Sequence, residues 1–93
     1  MKITLKINEE DKQFTAPFVS TRKLKDTLKL SNKVNAGFTE DILDELIDYE
    51  VSLYGNQFTA EEMLDGFAAS DFFNKILEDM QTVLGNFNSA VKN

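Results

Sequence analysis

Four carboxylates, Asp41, Asp44, Glu45 and Asp48, fall at i, i+3, i+4 and i+7, a spacing that gathers them on one side of a helix. Converging oxygens are what a hard divalent cation requires. Carboxylates on one straight helix diverge into solvent, however, and no EF-hand pattern accompanies these. A solvated face, or a docking surface for a basic partner, is therefore preferred to a metal site. A second cluster is basic: Arg22, Lys23, Lys25, Lys29 and Lys33. Phosphate binding asks for a net positive field over a surface. The chain carries −6, and these side chains are expected to wrap around their helix rather than form one stripe. A protein partner, or the acidic end of a second copy, fits them better than nucleic acid.

Other reactive chemistry is scarce. The 93 residues include no His and no Cys, which removes the commonest general base, the commonest metal ligand, thiol chemistry and any disulfide framework. Glu61–Glu62 and Glu9–Asp11 could in principle do acid/base work, but capping and turn chemistry already account for them. There is no GxxxxGK[ST], no GxSxG and no glycine-rich phosphate loop. The reading is a non-enzymatic protein without a cofactor. The charges are also divided along the chain. Residues 1–34 hold eight basic and four acidic residues; residues 35–93 hold two basic and twelve acidic ones. Such a dipole favours oriented docking on partners or head-to-tail on copies of itself.

The elements that carry these clusters follow from periodicity. Ile3, Leu5 and Ile7 alternate with polar residues, and Phe14, Ala16 and Phe18 resume the alternation after the polar stretch 8–12. This predicts an antiparallel hairpin over 2–19, with Pro17 marking an edge or the point where the strand leaves the sheet. Helices are predicted over about 21–31, 40–54, 60–67 and 71–86, followed by a flexible tail over 88–93. Ser20, Thr39, Thr59 and Ser70 are the expected N-caps, Thr59 forming a capping box with Glu62. Gly55 and Asn56 should stop the second helix. Leu24 and Leu28 are expected to face inward from the first. The result is a single α+β domain over 1–87, a hairpin covered by about four helices. No apolar run is long enough to span a membrane, and no signal-peptide pattern opens the chain.

Phe38, Phe58 and Phe67 read as core. The last helix carries Phe72, Phe73, Ile76, Leu77, Met80, Val83, Leu84 and Phe87, more apolar positions than a narrow stripe needs. An edge left uncovered there would mark an association site. The residues expected to meet partners are thus Arg22, Lys25, Lys29, Asp41, Asp44, Glu45, Asp48, Phe73, Met80 and Phe87.

Several segments together resemble a known family. They are MKITLKI and FTAPFVSTRKL at the front, the acidic second helix ending in YGNQFT, and AEEMLDGF before an amphipathic helix. Over about residues 1–85 they resemble tail assembly chaperones of long-tailed phages and prophages of Gram-positive bacteria. The resemblance implies a non-enzymatic protein of the bacterial cytoplasm, absent from the mature virion. Its implied partners are the tape measure protein, which it would coat, and the major tail tube protein, which it would recruit. The same resemblance implies a longer product made by ribosomal frameshifting. Self-association is expected from the charge division, and no membrane or nucleic-acid partner is expected from the residues. Two other classes compete. A small acidic phage-encoded inhibitor could mimic nucleic-acid charge on a host protein, although the basic first third argues against it. A nucleic-acid-binding regulator would use Arg22 to Lys33.

Overall fold

In a computed structural model, which describes residues 1–92 and the side chains of residues 1–85, the alternating front of the chain is a two-stranded antiparallel sheet. Strands β1 (Lys2–Ile7) and β2 (Glu10–Thr15) pair from Lys2↔Thr15 to Ile7↔Glu10. Asn8 and Glu9 turn the chain with φ of 54° and 65°, positive at both central residues as a two-residue hairpin turn demands. Ile3 and Leu5 are buried and Phe14, opposite Ile3, is half-buried. The second strand ends earlier than its alternation suggests. The Ala16 amide still donates to the Met1 carbonyl at 2.9 Å, but Pro17 has no N–H to continue the ladder. Phe18 consequently leaves the sheet and is 90% exposed.

Helices α1 (Thr21–Ala36), α2 (Glu40–Leu53) and α3 (Ala60–Gly66) follow, then a one-turn 3-10 segment (Ala69–Asp71) and α4 (Phe72–Lys92). The architecture is α+β, a hairpin and four α-helices. Helix α1 runs to Ala36, past the end expected near Ser31, because Leu30 and Val34 continue one packed face and Lys33 meets Glu45 on α2. Its inward residues also differ from expectation. Thr27 and Leu30 are buried, whereas Leu28 is 43% exposed, lying about a third of a turn from that face. Ser20 stands at the α1 N-cap without a side-chain bond. Thr39 caps α2 by accepting from the Ile42 amide at 3.2 Å. Thr59 and Glu62 form the full capping box on α3. Ser70 does not cap α4, because the 3-10 turn incorporates it.

One core joins the hairpin to the helices: Ile3, Leu5, Leu30, Leu46, Ile47, Tyr49, Leu53, Tyr54, Phe58, Met63, Ile76 and Met80. Phe58 stacks obliquely on Phe14 at 5.1 Å between ring centroids. Two glycines allow elements to touch directly. A β-carbon on Gly66 would lie 2.5 Å from the Lys6 carbonyl oxygen, and one on Gly55 2.9 Å from Pro17 Cγ. Gly55 and Asn56 both take positive φ, 71° and 59°, and end α2 as expected. Within α4, Gly85 departs from helical geometry (φ 25°, ψ −111°). The tail expected over 88–93 lies outside the fully described residues. Among the described residues, no helix is long and apolar enough to cross a membrane.

Candidate functional site

Helix α3 has only seven residues, too few to cover the apolar faces of both α2 and α4. The gap is an apolar groove of about 300 Å³. Buried Ile47 and Met63 form its floor, and Leu43, Phe67 and Phe72 are half-buried in its walls. Phe38, Leu64 and Phe73 stand at its mouth, each nearly half exposed. Phe38 meets Phe73 edge-to-face at 4.8 Å, and Phe73 meets Phe72 at 5.8 Å. Grooves with this lining accept the apolar face of an amphipathic helix. Phe73 and Leu77, one turn apart on α4, are the uncovered edge that the excess of apolar positions foreshadows.

The charge around the groove is negative. At about 100° per residue, Asp44 lies about 60° round α2 from Ile47, beside the groove, whereas Asp41 and Asp48 lie about 100° or more from Ile47, toward the side that faces α1. All three are exposed, and Asp48 shares the α1–α2 side with Lys29, Lys33 and Glu45. Residues 34–74 contain ten acidic and no basic residues. An apolar anchor flanked by positive charge suits this surface; a metal ion does not. No cluster of three or more metal-ligating side chains exists among the described residues.

On its other side α2 packs antiparallel to α1, and part of the charge division is closed there. Lys33 Nζ pairs with Glu45 Oε1 at 2.7 Å, and Lys23 donates to the Ser52 hydroxyl. The Thr27 hydroxyl donates to the Lys23 carbonyl at 2.6 Å, so its single proton is used. The Tyr49 hydroxyl must then be the donor in the 2.6 Å bond between them. Burial pushes Tyr49 up to about 12, against the lowering effect of Thr27. Arg22, Lys25 and Lys29 remain exposed. With Lys33 they span an arc of only about 80° on α1, so they form one stripe rather than wrapping around the helix.

Between α2 and α4 lies a polar cluster that patterning alone does not single out. Glu50 on α2 and Asp79 on α4 are both fully buried. Lys75 Nζ pairs with Asp79 Oδ1 at 3.0 Å, and the Tyr54 hydroxyl donates to Asp79 Oδ2 at 3.0 Å. Neither Glu50 oxygen has a hydrogen-bond partner among the described residues. Burial first, then the neighbouring Asp79, push the Glu50 carboxyl up to about 9, with Lys75 opposing. Burial, reinforced by Asp79, also raises Tyr54. Glu50 is therefore protonated at neutral pH, which relieves the repulsion of a second buried carboxyl close by.

The comparison with known proteins decides the class. A family model described as phage tail chaperone protein matches residues 1–93. The chain belongs to that family. Its role is accordingly that of a chaperone in phage tail assembly. No curated protein and no solved structure matches it.

Against that role, the residues expected to meet partners divide into groups. Arg22, Lys25 and Lys29 form the basic stripe of the chaperone, Asp44 stands beside its groove, and Asp41 and Asp48 lie round α2 toward α1. Glu45 belongs instead to the α1–α2 seam. Phe73 is at the groove mouth. Met80 is buried beside Ile76 and Leu46, because α4 turns this position toward the core, so it offers no surface. The Phe87 side chain lies outside the described residues. Phe38 and Phe67, read as core, line the groove. Their signal was the brevity of the helix at 60–67 beside two longer apolar stripes.

Proposed function

We propose that the chain shields apolar helical segments of the tape measure protein in the groove between α2, α3 and α4, and helps bring tail tube subunits to that client. The observation carrying this reading is an open apolar groove lined from a stretch, residues 34–74, that holds ten acidic and no basic residues. A long helical client with exposed apolar anchors would aggregate if left bare, and helix-in-groove contact masks such anchors. Many copies along one client need only modest affinity each, because linkage on a common chain multiplies weak contacts. Modest affinity also permits release when the tube arrives. The reading places the protein in the cytoplasm of a bacterial host during morphogenesis of a long-tailed phage, outside the finished virion. A nucleic-acid-mimicking inhibitor is disfavoured by the exposed stripe of Arg22, Lys25 and Lys29, which such a mimic would not present.

Fluorescence anisotropy with overlapping peptides from the tape measure protein of the same phage tests this. Peptides with apolar anchors at helical spacing and flanking Lys or Arg are expected to bind. Phe73→Asp should weaken them by about tenfold or more, and added salt should weaken them further. Failure of every peptide to bind, or equal binding by Phe73→Asp, overturns the proposal.

A further inference from the structure

Helix α4 is seated over a polar seam. Of its described side chains, Ile76, Asp79 and Met80 are the buried ones, so a carboxylate takes one of its fully covered positions. Glu50 of α2 meets that surface equally buried, with no hydrogen-bond partner for either oxygen among the described residues. The groups that bear on Glu50 are Asp79 and Lys75 of α4. Tyr49 and Tyr54 flank it from its own side, and Asp26 on α1 and Glu78 on α4 bear on those tyrosines. A buried polar group without a partner is costly, and a buried charge more so. Lys75 and Asp79 sit one turn apart on the same helix, so their ion pair travels with α4. Lifting α4 would give up the cover of Ile76 and Met80, the partial cover of Phe72 and Val83, and the bond from Tyr54 to Asp79. It would return water to two carboxyls.

The remainder of the molecule has no such seam. Phe58 packs on Phe14, and Gly66 is pressed on the Lys6 backbone, which fixes the end of α3 to the hairpin. Directly after Gly66 the chain is extended at Phe67 (φ −116°, ψ 133°) and Ala68 (φ −66°, ψ 130°), and Ala68 and Ala69 are exposed. A short extended link between a fixed helix and the next element is where a hinge belongs. We infer that α4 opens from α1 and α2 as a unit about Phe67–Ala68 while the hairpin and α1 to α3 stay folded, and that Glu50 is the latch which each opening exposes to water. Partial unfolding of this kind is drawn from the elements with least apolar cover. Phe72 and Phe73 ride on α4, so one wall of the groove moves with it. Opening itself needs no client, and it stands or falls apart from the proposed function.

The closed state holds a proton on Glu50 up to about pH 9, and a hydrated Glu50 releases it above about pH 4.5. Opening is therefore favoured as pH rises between these limits, by up to about tenfold per pH unit. Amide hydrogen exchange of the intact chain between pH 6 and 8, corrected for the intrinsic pH dependence of exchange, reads this directly. Amides 76–83 of α4 should be protected at least about tenfold less than amides 47–53 of α2, and their protection should fall with pH at about the stated slope. Glu50→Gln, with its fold verified by circular dichroism, should remove the slope in α4. Equal protection of the two helices overturns the inference, because α4 would then open only on global unfolding. An α4 protection independent of pH in the wild-type chain overturns the latch even without the variant, as does a slope that survives in Glu50→Gln.

Discussion

Glu50 occupies an apolar phase of its helix, three or four residues from Leu46, Ile47, Leu53 and Tyr54, all buried. Its protonation makes folding pH-dependent in a direction opposite to ordinary acid denaturation. The folded-state value of about 9 lies above the ordinary 4.5, so between these limits the folded chain holds a proton that the unfolded chain has lost. Stability from this group is complete below about pH 4.5 and drains away as pH rises toward 9, by at most about 1.4 kcal/mol per pH unit. Glu50→Gln keeps the shape and needs no proton. Urea unfolding should find it more stable than wild type by about 1–3 kcal/mol at pH 7, with the gap closing near pH 5. An equal gap at both pH values would show that Glu50 is not protonated on folding. The phase of Glu50 was visible in the sequence, since a carboxylate interrupts an apolar stripe there. Its partners were not, because Asp79 and Lys75 come from a helix 25 or more residues away. The capping box at Thr59 was legible for the opposite reason, being a contact within four residues.

Helices and strands were legible wherever a single period dominated. The hairpin register follows from Ile3 and Leu5 facing one way and from a polar turn of two residues with positive φ. What patterning missed was where neighbouring elements extend or truncate one another. Helix α1 continues to Ala36 because α2 supplies Glu45 for Lys33, and β2 stops at Thr15 because Phe18 has no sheet face to occupy after Pro17. The groove itself is a property of element lengths: α3 is one turn too short to close the space between two longer helices. Its docking on β1 depends on Gly66, where the chain backbone is in van der Waals reach of Lys6. Gly66→Ala would place a methyl carbon 2.5 Å from the Lys6 carbonyl oxygen, a backbone atom that cannot rotate aside. The intrinsic gain of Ala over Gly in a helix is about 1 kcal/mol, whereas a steric clash against a packed strand costs about 1–3 kcal/mol. Thermal unfolding should therefore show a net loss of stability. A variant as stable as wild type would mean that α3 can slide on the hairpin.

Taken whole, the molecule keeps only part of the charge division written along its chain. Lys33 and Lys23 are occupied in the seam with α2, and Lys75 is committed to Asp79. What reaches solvent is a short basic stripe at the front of α1 and an acidic face on α2, of which Asp44 is the residue beside the groove. Surface charges of this kind set orientation and encounter rate more than they set affinity. A charge exchange separates these roles from apolar docking. Asp44→Lys reverses the charge beside the groove without touching its apolar lining. A tape measure peptide whose apolar anchors are flanked by Lys should bind this variant more weakly than wild type at low salt, and the same peptide with Glu in place of those Lys should bind it more strongly. Both differences should fade at roughly 1 M salt. Equal binding of each peptide by the variant and by the wild-type chain would assign the contact to the apolar lining alone and would remove the charge from the account of how a client is oriented.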